Sequence, residues 1–378
     1  MHRKTGLCPG QRHVVPVVAA VAGLATLAAS GAARALVINA SYDTSVSGAP
    51  AGFTTALQTA LNFFDSTFTD PITVNIRVGW GEVGGNAIAP GALGESETYL
   101  AGYYSYNTVR NGMIRDARSS SDQSAVASLP AIDPTGGRGE LMSTAEAKAL
   151  SLLKYNGTDG FVGFDRTASW TFDPSNRSVP GKFDFVGVAE HEISEVLGRM
   201  ADLGAIGGAL DPLDLLRYSA PNTRALSPGD NQYFSIDGGT TNLNTFNGIG
   251  GGDTGDWAGY TIDAFNAAAL EGTMLPISAA DVTVMDVLGY NLSGNGTSLA
   301  AASAPTGIRA GSQVADVPEP STLALLGTAL FGLAALRRRP PRVSIRGGQA
   351  NRHRFCYSPT GPCVAPRRPV FSCEVLRL

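Results

Sequence analysis

The stretch that decides the fold runs from Phe183 to Met200 and reads FDFVGVAEHEISEVLGRM. Its apolar residues recur three and four positions apart, the spacing of one face of a helix. We therefore predict a helix over the whole stretch, the longest in the chain. His191 and two glutamates, Glu192 and Glu195, lie in its second half and offer the groups that carry chemistry.

His191 is the one histidine outside the terminal segments, residues 1–35 and 317–378, and all four cysteines lie in those segments. This excludes a mechanism that needs two histidines, or a cysteine nucleophile, from the central part of the chain. A serine triad would need His191 as its base, and no G-x-S-x-G turn is present. The remaining possibility for the central part of the chain is chemistry that uses carboxylates around one imidazole.

His191 and Glu195 are four residues apart, which on a helix places their Cβ atoms about 5–6 Å apart on one face. The two side chains can hold one cation between them, while Glu192 points toward water on that cation. This is the logic of the H-E-x-x-H motif of metallopeptidases, with a carboxylate in place of the second imidazole. The alternative is a surface helix with solvated glutamates and a histidine that hydrogen-bonds locally.

Residues 1–35 have the features of an export signal. Basic residues precede the apolar run Val14 to Ala29, and Ala33-Arg34-Ala35 then fits a cleavage site. We expect the mature chain to begin at Leu36. The alternative is an N-terminal anchor that stays in the membrane.

A second targeting element lies near the other end. Val317-Pro318-Glu319-Pro320-Ser321-Thr322 precedes the apolar run Leu323 to Leu336, which is followed by Arg337-Arg338-Arg339. This order resembles the PEP-CTERM sorting signal of bacterial surface proteins. The resemblance implies that residues 321–339 enter the membrane and that an exosortase-type peptidase cleaves near Pro-Glu-Pro. We expect an anchored protein that then reaches the cell surface or extracellular matrix; the alternative is an unprocessed anchor.

Between the two targeting elements, residues 36–316 contain 14 basic and 30 acidic residues, a net charge of −16. Such a charge argues against a nucleic-acid partner. We divide the chain into a domain (36–292), a Gly/Ser/Ala-rich linker (293–316), the sorting segment (317–339) and a basic tail (340–378). The tail shows neither helical nor strand periodicity, so we expect it to be disordered.

Periodicity predicts the main elements of the domain. We predict a Gly-rich loop over 79–94, helices over 54–68, 106–117, 143–155 and 278–288, and strands over 72–78, 160–164 and 168–172.

Other segments resemble metzincin-type zinc proteases. Gly198 stands where metzincins turn the chain off the active-site helix, Met274-Leu275-Pro276 resembles their Met-turn, and residues 277–290 resemble their closing helix. Residues 36–290 as a whole resemble a PEP-CTERM-associated family of predicted metalloproteases, whose H-E-x-x-E-x-x-G-R run matches residues 191–199. This resemblance implies a zincin-like α+β fold.

Ala201 stands where metzincins place their third metal ligand, so that ligand must come from elsewhere. Asp214 lies in an apolar-flanked segment and resembles the gluzincin arrangement, in which an acid on a following helix completes the site. Asp202, one residue late, is the alternative. We expect zinc, and the oxygen-rich ligand set leaves manganese or calcium as alternatives.

Two acidic glycine loops and one short basic segment give weaker signals. Residues 253–256 (Asp-Thr-Gly-Asp) and 237–239 (Asp-Gly-Gly) could bind calcium, although such loops are more often simple turns. Arg217 and Tyr218 could stabilise an oxyanion or serve packing.

These patterns together predict an exported, surface-anchored metal-dependent peptidase. Its fold would be α+β and zincin-like, with a mixed twisted sheet, an active-site helix and a loop-rich C-terminal lobe. His191, Glu195 and Asp214 would bind zinc, and Glu192 would act as the general base on a protein or peptide substrate. The alternative is a non-catalytic matrix or adhesion protein on the same scaffold.

Overall fold

The computed structural model describes residues 36–248, 252–259, 262–301, 348–357 and 373–374. The predicted signal peptide, the sorting segment and most of the linker lie outside these ranges. The strands are β1 (Val37–Tyr42), β2 (Thr73–Trp80), β3 (Glu82–Val83), β4 (Asn86–Ala87), β5 (Ala92–Tyr104), β6 (Glu140–Ser143), β7 (Gly160–Phe164), β8 (Trp170–Thr171), β9 (Phe183–Asp184), β10 (Arg217–Ala220), β11 (Thr223–Arg224), β12 (Tyr233–Phe234), β13 (Asn244–Thr245), β14 (Ala268–Ala269), β15 (Gly348–Tyr357) and β16 (Cys373–Glu374). The α-helices are α1 (Phe53–Thr67), α2 (Tyr106–Asp116), α3 (Ser120–Ser128), α4 (Thr144–Ala149), α5 (Phe185–Val196), α6 (Ala279–Val287) and α7 (Gly294–Ala301).

The main sheet has the strand order β1-β2-β7-β5-β15-β14. Strands β1, β2 and β7 run parallel, and β5 pairs antiparallel with β7, with Ser96 opposite Val162. The sheet is therefore mixed, which confirms the α+β class. Helix α5 packs across β5 and β7 and also contacts α1.

Aromatic residues fix the start of α5 on this sheet. Phe185, the first residue of α5, lies 4.7 Å from Phe164 and 5.0 Å from Phe53 between ring centroids. Burying an aromatic side chain of this size contributes about 1.5–3 kcal/mol, so three such residues hold the helix firmly. The functional side chains about two and three turns later are therefore placed by a rigid element.

Helix α5 is shorter than the predicted stretch from 183 to 200. It ends at Val196, and Gly198 follows with a φ of +114°, a conformation that side chains other than glycine rarely adopt. The amide of Arg199 then donates to the carbonyl of Ser194 at 3.0 Å. This turn reverses the chain, so Arg199 returns along the helix toward His191.

Strand β5 was not expected, because the sequence predicted a Gly-rich loop over 79–94 and no helix or strand between residues 94 and 106. The structure has the short hairpin β3–β4 there, followed by a strand whose residues 92–98 are all buried. Two glutamates and a glycine within the strand hide the usual alternation. These residues adopt a strand because β5 hydrogen-bonds to a neighbouring strand on each side.

The segments after residue 292 also differ from expectation. Helix α7 occupies the start of the predicted linker, and β15 lies within the tail expected to be disordered. Strand β15 pairs antiparallel with the outer edge of β5 over residues 92–99. An open strand edge offers backbone donors and acceptors to any extended segment, so the pairing needs no side-chain periodicity.

The C-terminal lobe is loop-rich, as predicted, and contains a small antiparallel sheet in the order β11-β10-β12-β13. Trp257 is fully buried against Phe234 and Phe246, with ring centroids 5.9 and 5.1 Å away. The indole of Trp257 donates to Asp281 Oδ1 on α6 at 2.6 Å. The loop around residue 257 is thereby anchored over α5.

Candidate metal centre

Three ligand groups converge above the second half of α5. One ligand atom from each of His191, Glu195 and Asp256 lies within 4.8 Å of the other two. His191 Nε2 is 3.3 Å from Glu195 Oε1 and 3.3 Å from Asp256 Oδ1. All three side chains are buried. We call this group the triad.

The spacing of the triad suits one small cation. Ligands at roughly 2.0–2.1 Å from a tetrahedral zinc ion stand about 3.3 Å apart, which is the distance from His191 Nε2 to each of the two carboxylates. Asp256 Oδ2 is buried and has no hydrogen-bond partner among the described residues, so one lone pair of the carboxylate is available. Among those residues the triad is the one group of three such ligands that meets this geometry.

The imidazole of His191 is held in one orientation. Its Nδ1 lies 2.8 Å from the carbonyl oxygen of Ala264, so Nδ1 carries the proton and donates it to that carbonyl. Nε2 is then the ring nitrogen whose lone pair can accept, and it faces both carboxylates. The arrangement is the one that orients a metal-ligating histidine.

Glu195 is oriented by strand β5. Ser96 Oγ donates to Glu195 Oε2 at 2.9 Å, which leaves Oε1 turned toward His191. Thr98 Oγ1 donates to the backbone carbonyl of Glu195 at 3.3 Å. Sequence reasoning missed both hydroxyls because it placed no strand here.

Asp256 enters the triad from the loop before Trp257. The carbonyl of Asp256 accepts from the amide of Asn247 at 2.7 Å. Arg217 donates to the carbonyl of Thr254, and Thr254 Oγ1 donates to the carbonyl of Ala201. The loop is thus tied both to the small sheet and to the chain just after α5.

Arg199 lies among the three ligands. Its Nη1 donates to Asp256 Oδ1 at 2.8 Å, and its Nε donates to Ser194 Oγ at 2.7 Å. Its Nη2 lies 3.1 Å from His191 Nε2 and 3.4 Å from Glu195 Oε1. A metal on Nε2 would compete with Nη2 for the same lone pair, whereas the bond to Asp256 could remain. In the sequence, only the place of Arg199 in the run of residues 191–199 linked it to the site.

Glu192 lies beside the triad and against β5. A Cβ added at Gly94 would stand 2.5 Å from Glu192 Oε1, so only glycine leaves room for this carboxyl. Burial raises the pKa of Glu192 well above its usual value, and the charges of Glu195 and Asp256 add to the effect. A cation on the triad would counter those two charges.

The charges of the triad also act on its imidazole. Burial lowers the pKa of His191, but the carboxylates of Asp256 and Glu195 outweigh burial, and the net pKa is raised. The site is therefore electrostatically negative enough to attract a cation.

The predicted third ligand, Asp214, is not part of the triad. Its Oδ2 accepts from the amides of Leu203 and Asp211, and its Oδ1 lies 4.0 Å from Arg217 Nε. Asp202 is outside the triad as well. Asp214 instead lies within the buried turn Pro212–Leu216, and Arg217, which follows this turn, supports the loop of Asp256. Asp256 belongs to one of the acidic glycine loops noted above, but nothing in the sequence linked it to His191.

Two other predicted features lie elsewhere. Met274 is 40% exposed, and it is Leu275 that packs against α5, where a Cβ on Gly187 would come within 2.5 Å of it. The Met-turn resemblance therefore does not extend to the position of the methionine side chain. Arg217 stacks on Phe246 at 3.7 Å and Tyr218 is buried, so the packing alternative holds for both.

Residues 316–339 match the PEP-CTERM protein-sorting motif. This motif marks an exported, envelope-associated protein that is recognised for exosortase processing. No curated protein matches the chain, and no solved structure matches it. In the part of the chain that the structure describes, no helix has the length and apolar character needed to cross a membrane.

Proposed function

We propose that the domain is a metal-dependent peptidase that acts after export. The observation that carries this proposal is the convergence of His191, Glu195 and Asp256, with Glu192 beside them on the same helix. Nothing in the sequence spacing requires Asp256 to join the other two, so their meeting supports a ligand role.

A divalent cation on the triad would polarise a substrate carbonyl and make water a better nucleophile. Glu192 would take a proton from that water and pass it to the leaving amine. Ser96 and Ala264 would hold the two ligands of α5 in place. Arg199 would hold Asp256 through the bond at 2.8 Å.

Zinc is the metal we propose, because the triad contains an imidazole whose Nε2 lies 3.3 Å from each carboxylate, a distance that suits a tetrahedral ion. Two carboxylates offset the charge of the ion, which would make it a weaker acid catalyst than an ion held by three histidines. The adjacent guanidinium of Arg199 restores one positive charge. The oxygen-rich set also leaves manganese and calcium as alternatives.

Access to the triad requires a movement, since every member is buried. Strand β15 contacts α5 and covers the outer edge of β5. We propose that displacement of β15 opens this side of α5.

A second function is favoured by one observation. Arg199 reaches all three members of the triad, and its charge offsets part of theirs without any metal. The group could thus serve as a buried ionic cluster in a non-catalytic matrix or adhesion protein.

Turnover separates the two functions. Zinc-loaded protein should hydrolyse casein, and Glu192→Gln should lower the rate by roughly two orders of magnitude or more with unchanged metal content. The control variant is Glu82→Gln, because the carboxylate of Glu82 accepts from Ser45 and Gly85 away from the triad. This variant should keep full activity. Metal-loaded protein that cleaves no peptide, before or after removal of residues 340–378, would favour the non-catalytic function.

A further inference from the structure

A second group of acids lies on the other side of the turn that ends α5. Glu140 is the first residue of β6, and Glu146 is the third residue of α4. Both side chains are fully buried, at 0% exposure. Neither carboxyl oxygen of Glu140 has a hydrogen-bond partner among the described residues, and the carboxyl of Glu146 has only the backbone amide of Ser143. We call these two residues the glutamate pair.

The turn after α5 and the segment that follows it enclose the glutamate pair. A Cβ on Gly198 would lie 2.8 Å from Glu146 Cβ and 3.0 Å from its Oε2. Glu140 forms a β-bridge with Leu210, and the amide of Leu141 donates to the Leu210 carbonyl at 2.7 Å. The pair is therefore confined on both sides by the chain between Gly198 and Leu210.

No basic side chain is hydrogen-bonded or ion-paired to the glutamate pair in the described ranges. Arg138 acts on Glu140 at a distance, but its Nε donates to the carbonyl of Gly208 and its Nη1 to that of Leu226. These two donors of Arg138 are therefore used elsewhere. Two buried carboxylates that share one backbone donor and have no counter-ion are strongly destabilising, so the pair must bind either protons or a cation.

The raised pKa values of both carboxyls agree with this need for a proton or a cation. Burial raises the pKa of Glu140 to about 9, and the nearby charges of Asp214 and Asp133 add to it. Burial also raises the pKa of Glu146 well above its usual value, with Glu140 as the next cause. The two carboxyls therefore sense each other's charge.

A different acidic group, formed by Asp70, Asp116 and Asp286, shows the contrast. Asn291 donates to Asp70 and Asp116, and Ser119 Oγ donates to Asp286 Oδ2 at 2.6 Å. Each of these carboxyls has at least one donor from the protein. The glutamate pair has no side-chain donor among the described residues and only the amide of Ser143, at Glu146, and this distinguishes it as a site that needs an occupant.

We propose that the glutamate pair binds a divalent cation of the calcium type, a second metal site separate from the triad. Only carboxylate oxygens are offered, and hard cations such as calcium take oxygen ligands. Backbone carbonyls and water would complete the coordination. Exported proteins meet millimolar calcium, where even sites with dissociation constants of about 10⁻⁴–10⁻³ M are filled. This proposal does not depend on the peptidase function.

The site also has a structural consequence. A cation on Glu146 would lie directly beneath Gly198, at the turn that sends Arg199 back to the triad. Calcium would stabilise that turn and, with it, the whole domain.

Thermal unfolding of the full chain in detergent tests the proposal. Calcium at ten times its dissociation constant should raise the Tm by about 3–6 °C. The double variant Glu140→Gln/Glu146→Gln, which keeps the shape and removes the charge, should lose this shift. Glu82→Gln and His191→Ala should both keep it, because neither lies in the glutamate pair.

A second measurement uses the wild-type chain alone. Terbium, which replaces calcium in oxygen sites, should bind with aromatic-sensitised emission that calcium displaces, in His191→Ala as well as in the wild type. Absence of both the Tm shift and the emission in the wild type would overturn the proposal. So would an equal calcium shift in the double variant, because the cation would then bind elsewhere.

Discussion

Arg199 offers the sharpest test of whether the triad is built for a metal. Without metal, its guanidinium is the counter-ion of Asp256 and Glu195, and all three side chains are buried. Removing one partner of a buried ionic group costs about 3–5 kcal/mol, because the remaining charges are left uncompensated. For a domain of this size each kcal/mol lowers the Tm by about 2–4 °C. Arg199→Met should therefore unfold about 6–20 °C below wild type in EDTA.

A bound divalent cation takes over the role of counter-ion to the same carboxylates. The deficit of Arg199→Met should consequently shrink to about 1–2 kcal/mol when zinc is added. Arg177→Met is the matched control: Arg177 pairs with Asp184 at 2.7 Å and Glu190 at 3.4 Å, away from the triad. Its deficit should be the same with and without zinc. The reasoning is refuted if the Arg199→Met deficit is independent of zinc, because the arginine would then be a purely structural counter-ion.

Two further predictions concern single side chains. Ser96→Ala removes the hydroxyl that orients Glu195, and zinc affinity should therefore fall about 10–100-fold in a competition titration. An unchanged affinity would mean that the hydrogen bond at 2.9 Å does not orient Glu195 for metal binding. Burial raises the pKa of Asp286 to about 7, with Asp122 adding, so the folded protein retains a proton that the unfolded chain loses above about pH 4. Stability from this side chain is therefore present below about pH 4 and lost as the pH rises toward 7. In urea unfolding, the free energy of unfolding of Asp286→Asn relative to wild type should rise by about 3–4 kcal/mol between pH 4 and pH 8. A difference between the two proteins that does not depend on pH would contradict this.

Local patterns predicted the parts of the fold that short-range physics determines. Helix α5 was found from the spacing of its apolar residues, and its end is governed by Gly198, where a positive φ is needed. Helix α1 and strand β7 were also predicted within one residue of their observed bounds. Helix α4 was predicted to reach residue 155 but ends at Ala149.

Long-range contacts explain what the sequence could not predict. Strand β5 is defined by its neighbours β7 and β15, so its glycine and glutamates looked like a loop. Two members of the triad, His191 and Glu195, follow from helical spacing alone. The third, Asp256, reaches them through a loop anchored by Trp257, and no spacing rule connects that loop to α5. Asp214 was a reasonable choice by position along the chain, but its turn faces Arg217.

The measurement that tests the central claim most directly is the zinc content of purified protein after dialysis, determined by elemental analysis. We predict about one equivalent in the wild type and in Asp214→Asn, because Asp214 lies outside the triad. His191→Ala and Asp256→Asn should each lose most of the metal while remaining folded by circular dichroism. Equal zinc in wild type and Asp256→Asn, or loss in Asp214→Asn alone, would contradict the assignment of His191, Glu195 and Asp256 as the metal ligands.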